Sequence, residues 1–242
     1  MTPFIAEIIG TALLLLLGNG VVANAVLSNT KGNGSGWIVI TFGWGMAVFV
    51  GVFAVAPFSG AHINPAVTVG LAAAGKFPWA DVPAYVLAQC IGGALGAAGV
   101  WLHYRPHYGV TKDFDAKLAT FCTGPAIRDT PSNFASEVIG TFVLVFGVLY
   151  LAEPEVGLGA LDALPVGLLV LGIGLSLGGT TGYAINPARD LPPRLVHALF
   201  PMPGGKRDSD WGYAWIPVAG PIAGGLLAAG AYLVLGAAGA PV

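Results

Sequence analysis

The stretch GYAINPARD (182–190) sets an arginine and an aspartate beside an Asn-Pro-Ala triplet in a chain that is mostly hydrocarbon. An earlier stretch, SGAHINPAVTVG (59–70), carries the same Ile-Asn-Pro-Ala core without the Arg-Asp pair. Proline is tolerated in the first turn of a helix, where its missing N–H leaves nothing unsatisfied, and Asn is a strong N-cap. Asn64-Pro65 and Asn186-Pro187 therefore read as two helix starts, each preceded by non-helical backbone over 59–62 and 181–184. A single Asn-Pro would read as an ordinary turn. Two copies at matching places in a repeat favour the helix starts.

Composition supplies the solvent. Of 242 residues, 55% are hydrophobic and only 9% charged, against about 25% charged in soluble domains. The chain is therefore read as solvated by lipid, and its 37 glycines fit helices packed closely in a bilayer. A formal net charge of −2, with no basic face, excludes nucleic acid as a partner. Cys90 falls in an apolar span and Cys122 in a polar connection, so no disulfide framework is implied. The N-terminal segment lacks a basic leader and contains Glu7, which reads as a retained transmembrane helix.

Crossing the hydrocarbon core takes roughly 20 apolar residues. Six segments qualify, at about 4–27, 37–58, 82–104, 134–152, 162–181 and 213–236. Two more, about 64–75 and 186–200, are too short to span and suit re-entrant half-helices. The chain also repeats: AEIIGTALLLLLG (6–18) matches SEVIGTFVLVFG (136–147), and Ile-Asn-Pro-Ala occurs once per half. Three spans per half is an odd number, so the second half enters the membrane from the opposite side. The expected fold is an all-α membrane protein of six transmembrane helices plus two half-helices. It forms one channel domain over 1–242, with inverted repeats at about 1–110 and 130–242.

Orientation is not settled by charge. With the N-terminus inside, the connections after spans one, three and five hold Lys31, Arg105, Lys112, Lys117, Arg128, Lys206 and Arg207. The inner side keeps Lys76, and the positive-inside rule prefers the reverse.

Half-helices that enter from opposite faces bring both positive dipole ends to one central point. Amides of Asn64 and Asn186 can donate there to an oxygen on a passing solute, while a cation meets repulsion. Irregular backbone at membrane depth needs a polar lumen or protein partners. Gly60, Ala61, His62, Gly182 and Ala184 are accordingly expected to line a pore.

On its two Ile-Asn-Pro-Ala motifs, its paired Glu-x-Ile-Gly-Thr segments and the spacing of its eight hydrophobic elements, the chain resembles the aquaporin and aquaglyceroporin family along nearly its whole length. The resemblance implies the hourglass fold, a pore in every protomer, a homotetramer in the cell membrane and no cofactor. It also implies a selectivity filter on the outer side of the paired Asn, made by Trp44, Gly174, Tyr183 and Arg189. Gly174 stands where water-selective relatives tend to carry a histidine, which widens the bore. Trp44 and Tyr183 offer an apolar corner and Arg189 donates to hydroxyls opposite, a lining that suits a small polyol. Asn-Pro-Ala-Arg-Asp is similar to the wording of glycerol facilitators, with Asp190 holding a loop or neutralising charge outside the pore. Tyr183 departs from the Phe frequent in that branch, and its hydroxyl bears on the bore; some bacterial relatives pass urea, dihydroxyacetone or undissociated lactic acid. The expected function is a passive channel for glycerol, with water and similar polyols, that excludes protons and ions. The alternative within the fold is a channel mainly for water, undissociated lactic acid or urea.

Glu7 and Glu137 are ionisable groups inside spans, a usual sign of function. Either they buttress the re-entrant loops, once per repeat, or they relay protons in a proton-coupled transporter. His62 lines the lumen or acts as a pH gate. His103 and His107 have i, i+4 spacing that Pro106 interrupts, which argues against a metal site. GLAAAGKF (70–77) imitates a phosphate-binding loop but ends in Phe77 and follows no strand. Gly92 and Gly96 form a GxxxG without indicating a particular contact. No nucleophile–base pair, metal cluster or cofactor loop remains, so an enzyme is not expected.

Overall fold

A computed structural model describes residues 1–151 and 159–237, and among these the chain is entirely helical. Six long helices have the length and composition to cross a membrane. They are α1 (Pro3–Val26), α2 (Trp37–Ser59), α4 (Val82–His103), α7 (Thr130–Tyr150), α8 (Leu164–Leu177) and α10 (Ile216–Ala237). A 3-10 turn extends α4 at its start, and another, Gly159–Ala163, extends α8. The half-helices are α3 (Pro65–Ala73) and α9 (Pro187–Leu199), and two short helices, α5 (Arg105–Val110) and α6 (Phe114–Ala119), lie in the central connection.

The starts follow from local chemistry. Thr2 caps α1 ahead of Pro3, and the Asp129 carboxylate accepts from Ser132 N–H (3.1 Å) to open α7 ahead of Pro131. That cap is why the fourth span begins at Thr130 and not near 134. Ala152, its expected last residue, lies outside the described residues. The fifth span stops at Leu177, short of 181, because residues 178–181 unwind toward the re-entrant loop. Helices α5 and α6, six residues each, were not expected in what read as a polar connection.

The same contacts are made twice. A Cβ on Gly92 would lie 2.4 Å from the Ile8 carbonyl oxygen, and one on Gly224 would lie 2.4 Å from that of Val138. Only glycine lets α4 approach α1, and α10 approach α7, this closely. Gly93 likewise meets the Ala188 carbonyl of α9, and Gly225 the Ala66 carbonyl of α3. Gly92 and Gly96 thus do have a definite partner, the face of α1 around Ile8, Ala12 and Leu15. The halves join where α2 crosses α8: a Cβ on Gly45 or Gly167 would sit 2.9 Å from the other's carbonyl oxygen. The side chains facing lipid are apolar, with Ile38, Phe42, Leu102, Leu168 and Leu227 all more than half exposed.

Four of the cations that crowd one side of the chain, Lys117, Arg128, Lys206 and Arg207, are held by contacts within the connections. Lys117 donates to the carbonyls of Pro203 and Gly205 at 2.9 Å each. Lys206 donates to those of His197, Ala198 and Phe200, at the C-terminal end of α9 where a helix favours positive charge. Arg128 pairs with Asp210, and Arg207 with Asp115. These bonds tie α6 and the segment before α7 to residues 200–215, beside the end of α9.

Candidate functional site: a central cavity between two half-helices

Each half-helix is launched by a strained loop. Gly60 and Gly182 have φ of 77° and 80°, and the left-handed region is then entered again by Ala61 (51°) and Ile63 (43°), and by Tyr183 (37°) and Ile185 (43°). A β-branched residue at positive φ costs on the order of 1–3 kcal/mol, so the surroundings must hold it. Two buried carboxylates do so. Glu7 accepts from the backbone N–H of His62 (3.0 Å) and Ile63 (2.7 Å), from Ser59 Oγ (2.6 Å) and from Gln89 Nε2 (2.7 Å). Glu137 accepts from the N–H of Ala184 (3.0 Å) and Ile185 (2.8 Å) and from Thr181 Oγ1 (2.7 Å). Both residues are fully buried, and neither lines the central cavity. Backbone and side-chain donors of the loops hold these oxygens, which is the arrangement of a buttress.

The Asn side chains both cap and cross. Asn64 Oδ1 accepts from Ala66 N–H (2.8 Å) while its Nδ2 donates to the Ile185 carbonyl (2.8 Å). Asn186 Oδ1 accepts from the N–H of Ala188 (3.0 Å) and Arg189 (3.3 Å) while its Nδ2 donates to the Ile63 carbonyl (2.9 Å). A side-chain amide carries two donor hydrogens, so each Asn keeps one N–H beyond the crossed bond. Both side chains line a cavity of about 250 Å³. Gly60, Ala61, His62, Ala184, Trp44, Tyr183 and Arg189 line it too, among valines and leucines from α2, α3, α7 and α8. Gly182 and Gly174 are not on that surface: Gly182 sits at the left-handed turn against Thr123, and Gly174 sits behind Tyr183.

Trp44 and Arg189 pack together, and Tyr183 with Gly174. The Arg189 guanidinium carbon lies 4.4 Å from the Trp44 ring centroid, a cation–π stack in a buried site. Tyr183 packs edge-on against Trp37 at 5.9 Å. Its hydroxyl is buried and has no hydrogen-bond partner among the described residues. A Cβ on Gly174 would lie 2.8 Å from both Cζ and Oη of that ring, and one on Gly178 would lie 2.4 Å from its Cδ1. The two missing side chains therefore make a slot for the phenol, and the cavity is offered the ring instead of the hydroxyl.

His62 is seated by its neighbours. Thr68 Oγ1 gives its one proton to the Asn64 carbonyl (3.1 Å) and accepts from Gln89 Nε2 (2.9 Å). His62 Nδ1 lies 3.1 Å from that same oxygen, which anchors the ring beside Thr68. Phe77 and Tyr85 flank the ring at 4.6 and 4.9 Å between centroids.

Asp190 is fully buried away from the cavity. It accepts from the N–H and Oγ1 of Thr123 (both 2.7 Å) and from Arg194 (2.8 and 2.9 Å). Arg194 then donates to the carbonyls of Ser209 (2.7 Å) and Thr123 (2.8 Å). This charge pair bolts both flanking connections to the half-helix that carries Arg189.

Sequence reasoning missed Gly18, Asn19, Thr68, Gln89 and Arg194. A polar residue at the middle of an apolar span is a signal in itself, and Asn19 and Gln89 each offered it. Arg194 lies four residues after Asp190, the i, i+4 spacing of helical ion pairs.

Two half-helices butted at a central cavity, largely apolar with the two Asn and Arg189 on its wall, within a six-span bundle are the architecture of a membrane channel. The model for the family "Major intrinsic protein" matches residues 1–232, and the chain belongs to that family. It is 58% identical to a probable glycerol uptake facilitator protein of Thermotoga maritima, over 96% of this chain and 98% of that one. It is 56% identical to the glycerol uptake facilitator protein of Streptococcus pneumoniae R6, over 94% and 97%. Among solved structures, the aquaglyceroporin from Plasmodium falciparum superposes with a TM-score of 0.80 at 32% identity, covering 95% of this chain and 93% of that one. The protein is thus a multi-pass protein of the cell membrane that passes small neutral solutes, and it is not an enzyme.

Proposed function

We propose that this chain, a single channel domain of two inverted repeats over about 1–110 and 130–242, conducts glycerol passively. The observation that carries the reading is the constriction. An apolar corner of Trp44 and the Tyr183 ring faces a single guanidinium, Arg189, with the Tyr183 hydroxyl withdrawn into the slot at Gly174. A polyol can lay its carbon edge on the rings and offer its hydroxyls to Arg189, then to the remaining N–H groups of Asn64 and Asn186. The relatives named as glycerol uptake facilitators support the same solute. Protons and cations are turned back by two helix N-termini aimed at one point. Acids cross only when neutral, because an anion would be desolvated in the narrow bore. The exposed apolar helix faces suit lipid and, by family resemblance, neighbouring protomers of a homotetramer.

Stopped-flow swelling of protein-containing liposomes tests the solute. Glycerol is expected to enter many times faster than into empty liposomes, with water accompanying it, and urea and lactic acid at low pH slower. No acceleration by the protein overturns the channel, and lactic acid fastest of all overturns the ranking.

A further inference from the structure

Behind the constriction, two consecutive residues of α1 touch two of its side chains, Trp44 and Arg189. A Cβ on Gly18 would lie 2.2–2.5 Å from ring atoms of Trp44, so the indole lies directly against the α1 backbone. Asn19, fully buried and outside the cavity lining, meets the guanidinium stacked on that indole. Arg189 Nη1 donates to Asn19 Oδ1 (3.4 Å) and to the Phe121 carbonyl (3.3 Å), and Asn19 Nδ2 donates to that same carbonyl (3.2 Å). Only this amide orientation works, since the flipped one would set oxygen against oxygen and NH₂ against guanidinium. One amide thus ties α1, the connection before Thr123 and the arginine of the second half into one triangle.

We propose that Asn19 is the positioning residue of the channel's arginine. Its Oδ1 holds the guanidinium back against the wall and flat on Trp44, so that the bore stays open and the unused N–H groups face the solute. The assignment rests on the proposed filter role of Arg189. A leucine at position 19 would leave the arginine one acceptor on the wall, and water in the lumen becomes the competing partner. The guanidinium then turns inward, and the bore narrows for a polyol before it narrows for water.

The test is the ratio of glycerol to water permeability in liposomes, which does not depend on the fraction of active channels. Asn19→Leu is expected to lower that ratio about tenfold, the scale set by losing one hydrogen bond to a charged group. Asn19→Asp keeps an acceptor for Arg189 but sets its second oxygen against the Phe121 carbonyl, and is expected to give a ratio between those of Asn19→Leu and the wild type. An unchanged ratio in Asn19→Leu overturns the assignment, as does an equal fall in both variants, which would mark a merely structural amide. Wild-type liposomes that pass no glycerol overturn the proposed function instead, and the Asn19 comparison is then read from urea against water.

Discussion

Replacing Gly174 by alanine tests the slot that keeps the Tyr183 hydroxyl out of the bore. The added methyl would lie 2.8 Å from Cζ and Oη of Tyr183 and 3.0 Å from Thr41 Cγ2. Carbon atoms at rest sit about 3.5–4.0 Å apart, so the ring must retreat by roughly 1 Å. It cannot slide along the slot, because Gly178 and Trp37 close that direction. The open side is the cavity. Overpacking of this kind costs about 1–3 kcal/mol. If the ring relieves that strain by entering the bore, each glycerol must push it back. The barrier then rises by a similar amount, a slowing of about 5- to 150-fold. Water, with a smaller cross-section, is expected to slow much less. The assay is stopped-flow light scattering of the same liposomes with both solutes. Adding Tyr183→Phe to the alanine variant removes one of the two close contacts and should restore part of the glycerol flux. Wild-type glycerol flux in Gly174→Ala, or equal losses of glycerol and water, would refute the slot.

Tyr183→Phe alone deletes a buried hydroxyl that has no partner among the described residues. It should stabilise the protein by about 1 kcal/mol, seen as a rise of roughly 2–4 °C in the melting temperature of detergent-solubilised protein. Asp190→Ala strands Arg194, whose side chain is fully buried in the pair, and should destabilise by about 3–5 kcal/mol; an unchanged melting temperature would count against the bolt. Glu137→Gln replaces an acceptor of three hydrogen bonds by a group that must present NH₂ to one of those donors. A loss of about 1–3 kcal/mol is expected from the donor left unmet. In wild-type liposomes under an imposed pH difference, glycerol should equilibrate and stop; accumulation would restore the proton-coupled reading of Glu7 and Glu137.

Much of this was legible before any coordinates. Six spans, two half-helices and the two Asn-Pro starts follow from hydropathy length and capping chemistry, which act over a few residues and are written locally. The equivalent placement of Glu7 and Glu137 was also readable, because it recurs once per repeat. Trp44, Tyr183 and Arg189 could be matched to a constriction only through family resemblance, since they lie on α2, a re-entrant loop and α9, far apart in the chain.

What the sequence by itself determined, then, is a lipid-solvated bundle whose two Asn-Pro-Ala segments must meet, because lipid leaves their loops no other partners. What only the tertiary structure decided is how the meeting point is lined. The Asn amides spend one N–H each on the opposite Ile carbonyl, 121 and 123 residues away in the chain. Tyr183 turns its hydroxyl into the space left by Gly174 and Gly178, and Asn19 backs an arginine 170 residues distant. Such contacts depend on helices crossing at a given depth and rotation, and no short-range propensity encodes either. A tyrosine in the sequence is a polar ring; where its hydroxyl points is a property of the packed bundle.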